Sequence, residues 1–595
     1  MDKDNRLTAL RRAMKKRRID LYLVFLADPH ASEYVVEAYG QIAWLSGFTG
    51  TNATIVVTQD EAGLWTDGRY FIQAKRQLAG SGVTLFAMGE EGVPTVEEYV
   101  REHLPKRGCL GYDGKVVPLN DHEGYEQIAR KRHARVVTGY DLIDGLWTDR
   151  PALPKRPAWV LKKKYAGQTV DKKLNKVLGM VKKAGAQALL LTSLCDIAWL
   201  LNLRGDDIRH VPVAMSFFYL SDKKRMLFIA PEALNEQVRA HLQHCGIRVR
   251  PYETVYDAVK RLRCRRLMVD PHSVSIALAD ALPKRVKLVR GANPTEALKA
   301  KKNRREIKNT RKAHIRDGVA VTKFIYCVKT KIGTEPLSEC SAAHMLHGFR
   351  AQQKHFLDES FDTIAAYGAN AAMMHYEPDE QADVPLEPRG FFLVDSGGHY
   401  LEGTTDITRT IALGELTDEE RHGYTLTLKG ALRLMAARFP VGTIAQGLDV
   451  LARGPFWNEG LDYRCGTGHG VGHILSVHEG PNGFRSKLTE RLPACELKAG
   501  MITTDEPGLY VEDGFGVRIE NELLCVKGEK TEYGQFLRFE NITMAPIDLE
   551  PVDASLLTAE EKQTLNAYHK RVYKTLRPYL TKEEARWLKQ ETRPI

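Results

Sequence analysis

The sequence predicts an α/β (α+β) protein with a duplicated α/β front half and a larger last domain that carries the chemistry. Three observations lead there. At 595 residues the chain is too long for one hydrophobic core, and ~three domains of ordinary size account for it. The front half repeats itself: QIAWLSGFTG at 41–50 returns as DIAWLLNLRG at 196–205, each behind a similar helix pattern. The last third holds VDSGG, TTDITRT, GTGHG, TDEPG and RIENE, which set Asp395, Asp406, His469, Glu506 and Glu520 in glycine- and threonine-rich strand and turn sequence.

Taken in order, Leu7, Leu10 and Met14 fall at helical spacing on a charged stretch, and Ile19, Leu21 and Leu23 open an apolar strand ending near Leu26. Strands follow at 53–58 and 63–67, and a helix from Gly68. The linker 150–159, RPALPKRPAW, carries three prolines and marks the first boundary. Behind it the pattern restarts. Leu174, Val177 and Val181 repeat the first helix, and a strand follows at 188–192. Trp44 and Trp199, equivalent in the two copies, read as core aromatics. A second boundary lies in GANP near Pro294, followed by one long basic helix over about 297–329. The resulting domains are 1–152, 153–292 and 293–595. The tail has two capping-box starts, Thr558 with Glu561 and Thr581 with Glu584. Leu565, Tyr568, Val572 and Leu576 form an apolar stripe behind the first.

Composition excludes several classes. The formal charge is +11, but the basic clusters at 15–18, 261–266 and 299–305 lack interleaved aromatics. They read as solvated helix faces rather than a nucleic-acid surface. The nine cysteines are dispersed, without a C-x-x-C pair, which argues against a disulfide framework. The polar start has no apolar signal core, and no run of ~18 apolar residues occurs, so neither export nor a membrane is expected and the cytoplasm is the default.

The chemistry gathers between Asp395 and Glu520. Asp395 ends an apolar strand, and Asp406 follows eleven residues on, the length of a turn and a return strand. Gly468, Gly470 and Gly472 make a regular helix through His469 and His473 unfavourable, so the pair does not read as a helical zinc clamp. Pro507 favours extended geometry at Glu506. Strand alternation points Glu520 and Arg518 to one side, so Glu520 needs either Arg518 or a cation. Four carboxylates and one imidazole suit two hard divalent cations, which activate a water and can hydrolyse an amide.

The order VDSGG, TTDITRT, GTGHGVGH, TTDEPGLY and VRIEN resembles that of the pita-bread metallopeptidases. Within them it is most similar to the three-domain aminopeptidase P (Xaa-Pro aminopeptidase) group. SGFTGTNATIVVT, LWTDGRYFIQA, SFDTIAAYGANAAMMHYEP and VHEGPNG extend the likeness along the chain. The resemblance implies two creatinase-like α/β domains before a pita-bread catalytic domain. It implies two divalent metals, manganese first, with zinc or cobalt as alternatives. The substrates would be peptides with proline second, and the assembly a homodimer. Carried over, Asp395 would chelate one metal, His469 and Glu506 the other, and Asp406 and Glu520 would bridge both. A hydroxide between the metals would attack the N-terminal Xaa-Pro bond while Glu506 relays the proton. His375 and His478 would donate hydrogen bonds to the carbonyl oxygen and the tetrahedral intermediate. Arg518 and Tyr510 would shape the site. One departure stands out: the group has a second histidine four residues before the ligand, where this chain has Cys465. Cysteine is smaller and a weaker donor, which bears on proline preference rather than on metal binding. The competing readings are a prolidase-like dipeptidase, methionine aminopeptidase, and a non-catalytic binder of peptide, histone or nucleic acid. A retired site would have no reason to keep four clustered carboxylates.

Overall fold

The structure is a computed structural model that describes residues 3–489 and 492–595. It divides into two compact units, one running to Lys162 and from Gln168 to Glu296, the other comprising Lys163–Gly167 and Ala297–Ile595.

The first unit contains two six-stranded sheets with one topology. Edge to edge, the first runs Thr84–Ala87, Ala62–Thr66, Thr54–Val57, Leu21–Phe25, Cys109–Gly111, Arg135–Val137. The second runs Arg248–Arg250, Arg225–Ile229, Ser216–Ser221, Ala188–Leu191, Arg266–Val269, Lys287–Arg290. In each the earliest strand pairs antiparallel with the second and parallel with the fifth, and the outer pairs are parallel. The shared order carries the duplication from ten residues of sequence to a whole domain. The helices Lys3–Arg17 and Val170–Lys183 occupy equivalent places, burying Leu7, Leu10 and Met14, and Leu174, Val177 and Val181. The two tryptophans part company. Trp199 is buried, whereas Trp44 stays half-buried and stacks on Trp147 at 5.7 Å under the Arg6 guanidinium.

In the second unit the long helix is two helices. Pro294–Ala300 ends before a break, and Asn303 caps Arg304–Lys331, its side chain accepting the Arg305 and Glu306 amides. The capping box formed by Asn303 and Glu306 satisfies the orphan amides of a new start, so helical periodicity across 297–329 hides a boundary. Two sheets follow. Phe391–Ser396 lies between Ile364–Tyr367 and Ile407–Ala412. A six-stranded sheet runs Arg438–Pro440, Gly534–Asn541, Asn521–Thr531, Ile502–Asp505, Gly468–Gly470, Glu479–Phe484. The helix Asp418–Met435 buries Tyr424, Leu428, Leu432 and Met435 in the main core with Phe391, Val517, Leu523 and Phe539. Both tail capping boxes form. Leu565, Tyr568, Val572 and Leu576 are buried in that core, each worth ~1.5–3 kcal/mol. Among the described residues, which include all nine cysteines, no disulfide forms. Among the described residues, no helix is long and apolar enough to cross a membrane.

Candidate metal centre

Five segments of the second unit, in or beside strands, converge. Asp395 lies in Phe391–Ser396 opposite Thr408, and Asp406 precedes the partner strand, so the pair sits on one antiparallel ladder. His469 is the middle residue of Gly468–Gly470. Its flanking glycines are required: a Cβ at Gly468 would collide with the Thr504 carbonyl oxygen, and one at Gly470 with that of Glu479. Glu506 follows Ile502–Asp505 directly. Glu520 falls in a break between Gly516–Arg518 and Asn521–Thr531 rather than within one continuous strand.

Asp406, His469 and Glu520 each offer a ligand atom within 4.8 Å of the others'. His469 Nε2 also lies 3.3 Å from Glu506 Oε1 and 3.4 Å from Asp406 Oδ2. Its Nδ1 is 2.9 Å from the Gly470 carbonyl, which fixes a proton on Nδ1 and turns Nε2 toward the carboxylates. Asp395 joins through Arg518, whose guanidinium donates to Asp395 Oδ2 at 2.6 Å, Tyr510 Oη at 2.7 Å, Thr408 Oγ1 at 3.1 Å and the Met374 carbonyl at 3.3 Å. The partner anticipated for Glu520 is therefore taken by Asp395. Among the described residues Glu520 Oε2 accepts only the Thr408 hydroxyl, at 2.8 Å. His478 stands edge-on to His469, ring centres 4.3 Å apart, and is half-buried, as is His375. Cys465 is half-buried beside a cluster of Leu426, Phe456 and Tyr463 that Leu509 and Tyr510 pack against.

The electrostatics are those of a cage built for cations. Burial, with Asp395 and Glu506 nearby, raises Asp406 to about 6. Burial, then Asp406, Glu506 and Asp395, pushes Glu520 well above the usual carboxylate range. Burial alone would lower His469, but Asp406 and Glu506 outweigh it and raise the imidazole to about 9. Asp395 Oδ1 and Glu520 Oε1 are buried and accept no hydrogen bond among the described residues. Unpaired buried carboxylate oxygens are costly. Oxygen donors with one nitrogen fit two hard divalent ions, which would supply the missing charge.

Several residues around the centre escape a sequence reading. Glu522, fully buried, accepts the Asp406 amide at 2.9 Å and lies 3.1 Å from His314 Nε2. Arg409 donates to the carbonyls of Thr408, Glu520, Ala545 and Pro546 and to Asn521 and Tyr568, tying the floor of the site to the tail helix. Glu479, beside His478, is buried between Lys302 and Lys299. One signal was available: Glu522 repeats Glu520 at strand period in IENE.

Comparison with known proteins agrees with this geometry. Residues 308–527 match metallopeptidase family M24, and 535–595 its C-terminal region. The creatinase/prolidase N-terminal domain matches twice, at 6–146 and 149–306. The chain is 38% identical to a probable Xaa-Pro aminopeptidase P of Tuber melanosporum across 100% of both chains. It is 36% identical to aminopeptidase P2 of Arabidopsis thaliana, across 100% of this chain and 88% of that one. A solved X-prolyl aminopeptidase from Caenorhabditis elegans, described as a cytosolic enzyme with a di-nuclear active site, superposes with TM-score 0.96 at 33% identity over 100% of both chains. The Xaa-Pro dipeptidase of Bacillus anthracis shares the fold over 64% of this chain and 99% of its own, with TM-score 0.51 at 24% identity. Matched along its whole length, the chain belongs to metallopeptidase family M24, in the group that carries two creatinase-type domains ahead of the pita-bread domain.

Proposed function

We propose that this chain is a metalloaminopeptidase that hydrolyses the N-terminal Xaa-Pro bond of peptides. The observation that carries the reading is the convergence of Asp406, His469 and Glu520, flanked by Asp395 and Glu506, on a buried space with orphaned carboxylate oxygens. The two N-terminal sheets favour aminopeptidase P over prolidase. We assign the domains as 1–152, 153–292 and 293–595.

Asp395 would hold one cation, His469 and Glu506 the other, with Asp406 and Glu520 shared; manganese is assigned first, ahead of zinc or cobalt. Two bound cations supply Lewis acidity and a water of lowered pKa. Glu506, half-buried at its strand end, takes the proton of the attacking water and returns it to the departing proline nitrogen. His375 and His478 donate to the carbonyl oxygen as it becomes an oxyanion, each worth ~3 kcal/mol of barrier. Arg518 pairs with Asp395 and orders Tyr510 and the Met374 carbonyl around the same pocket. Cys465 lies on the side that receives proline.

We also assign a cytosolic homodimer. Val441 at 54%, Ile444 at 43%, Val450 at 48%, Leu488 at 55% and Leu492 at 40% are exposed apolar side chains. Hydrogen bonds from Ala445 to the Cys495 carbonyl and from Gln446 to that of Pro493 draw these segments together, as at a subunit contact.

The test is hydrolysis of Arg-Pro-Pro against Arg-Ala-Ala with and without manganese. The reading requires metal-dependent release of arginine from Arg-Pro-Pro alone. Equal cleavage of both peptides, or of neither, overturns it.

A further inference from the structure

His375 is held from both neighbours. On one side the Met374 carbonyl accepts from Arg518 at 3.3 Å. On the other, the Tyr376 hydroxyl donates to Glu339 Oε2 at 2.7 Å. Glu339 lies in the first turn of Glu339–Ala351 and is 0% exposed. Among the described residues no lysine, arginine or histidine pairs with it. Its carboxylate is fed by neutral donors alone: the Tyr367 amide at 2.6 Å, the Asn370 amide group at 3.2 and 3.3 Å, and Tyr376. Asn370 also donates to the Tyr376 hydroxyl at 3.1 Å, which closes the network. Every side-chain donor belongs to 367–376, the segment that leaves strand Ile364–Tyr367 and carries His375.

A buried carboxylate without a counter-ion is a costly way to stabilise a helix end, even at the favourable N-terminus. Ser338 already caps this helix, its side chain accepting the Ser341 amide. The remaining use for the charge is to template the 367–376 segment. A hydrogen-bond donor to a developing oxyanion has to stand within tenths of an ångström of its place, and a shift of ~1 Å costs ~10²-fold in rate.

We propose that Glu339 is a positioning residue for the reaction: through Tyr376 and Asn370 it fixes the backbone that presents His375 to the substrate carbonyl. The inference rests on the reading of His375 as that donor. It adds a residue outside the metal cage, on a different helix, to the machinery.

A double-mutant cycle on the manganese-loaded full chain tests it, with kcat and KM for Arg-Pro-Pro, manganese content and melting temperature measured for each variant. Glu339→Gln keeps the shape but replaces one accepting oxygen with a donor. It is expected to lower kcat about tenfold, with KM, manganese content and melting temperature close to wild type. Tyr376→Phe, which removes one hydroxyl, is expected to act in the same direction and not add to Glu339→Gln. His375→Ala is expected to lower kcat about 10²-fold or more. In the His375→Ala background Glu339→Gln should then change kcat less than about twofold, because the group it positions is gone. Equal losses in both backgrounds, or loss of manganese or melting temperature in both Glu339→Gln and Tyr376→Phe, would overturn the positioning role alone. Unimpaired turnover of His375→Ala would overturn the role of His375, and the inference with it.

Discussion

Arg518 donates to Asp395 at 2.6 Å and makes no hydrogen bond to Glu520. One buried guanidinium therefore compensates one carboxylate of the cage and leaves the other three to be neutralised by something else. Burial, with Asp395 and Glu506 nearby, raises the cost of ionising Asp406, and burial with Asp406, Glu506 and Asp395 nearby raises that of Glu520, which is the arrangement of a site that waits for cations.

Removing Arg518 exposes that debt. Arg518→Gln leaves Asp395 buried without its partner and should destabilise the metal-free protein by ~3–5 kcal/mol. Urea unfolding of the metal-free variant against wild type measures it, and an unchanged midpoint would show that Asp395 does not depend on the pair.

Glu506→Gln keeps the size of the side chain and its hydrogen bond from Thr504 Oγ1, 2.9 Å in the native protein, but removes the base. Hydrolysis of an Xaa-Pro peptide should be abolished with the circular-dichroism spectrum intact. Wild-type rates from this variant would exclude Glu506 as the proton carrier.

Cys465→His restores a larger, stronger donor beside Tyr510 and Tyr463. Turnover on Arg-Pro-Pro should rise, or its ratio to Arg-Ala-Ala should widen. If both stay constant, the residue at this position is neutral for the reaction.

His569 gives the fold a pH dependence. It is fully buried, and its Nε2 accepts the Ile547 amide at 3.1 Å, which requires the neutral ring. Burial, then the cations Arg409 and Arg593, bring its pKa from 6.5 down to about 3. Because the folded value is the lower one, the unfolded chain takes up the proton first. The contribution is complete above pH 6.5 and is lost progressively as pH falls toward about 3. Unfolding free energies measured between neutral pH and pH ~5 should fall more steeply for wild type than for His569→Asn. Parallel profiles would contradict this.

Much of the candidate site was legible because the proposed ligands sit in or beside strands within short contiguous motifs. VDSGG, GTGHG and TDEPG each announce a rigid strand and a close approach, and the glycine collisions at Gly468 and Gly470 show why. The duplicated front half was legible from two ten-residue windows, since one helix and one strand set the frame for each sheet. What sequence does not display is pairing across distance. Glu520 and Arg518 share a strand face in the pattern, yet the break between Arg518 and Asn521 turns Glu520 away and hands Arg518 to a residue 123 positions earlier. Glu339, Glu522 and Arg409 are single charged residues whose partners lie dozens to more than a hundred positions away. The Asn303 cap was hidden because both helices it separates are basic and periodic.

The most direct test of the account is anomalous diffraction from crystals of the protein grown with manganese. Two peaks enclosed by Asp395, Asp406, His469, Glu506 and Glu520, both lost in Asp406→Ala, are predicted. Density for ions elsewhere, or an empty cage in metal-supplemented crystals, would contradict it.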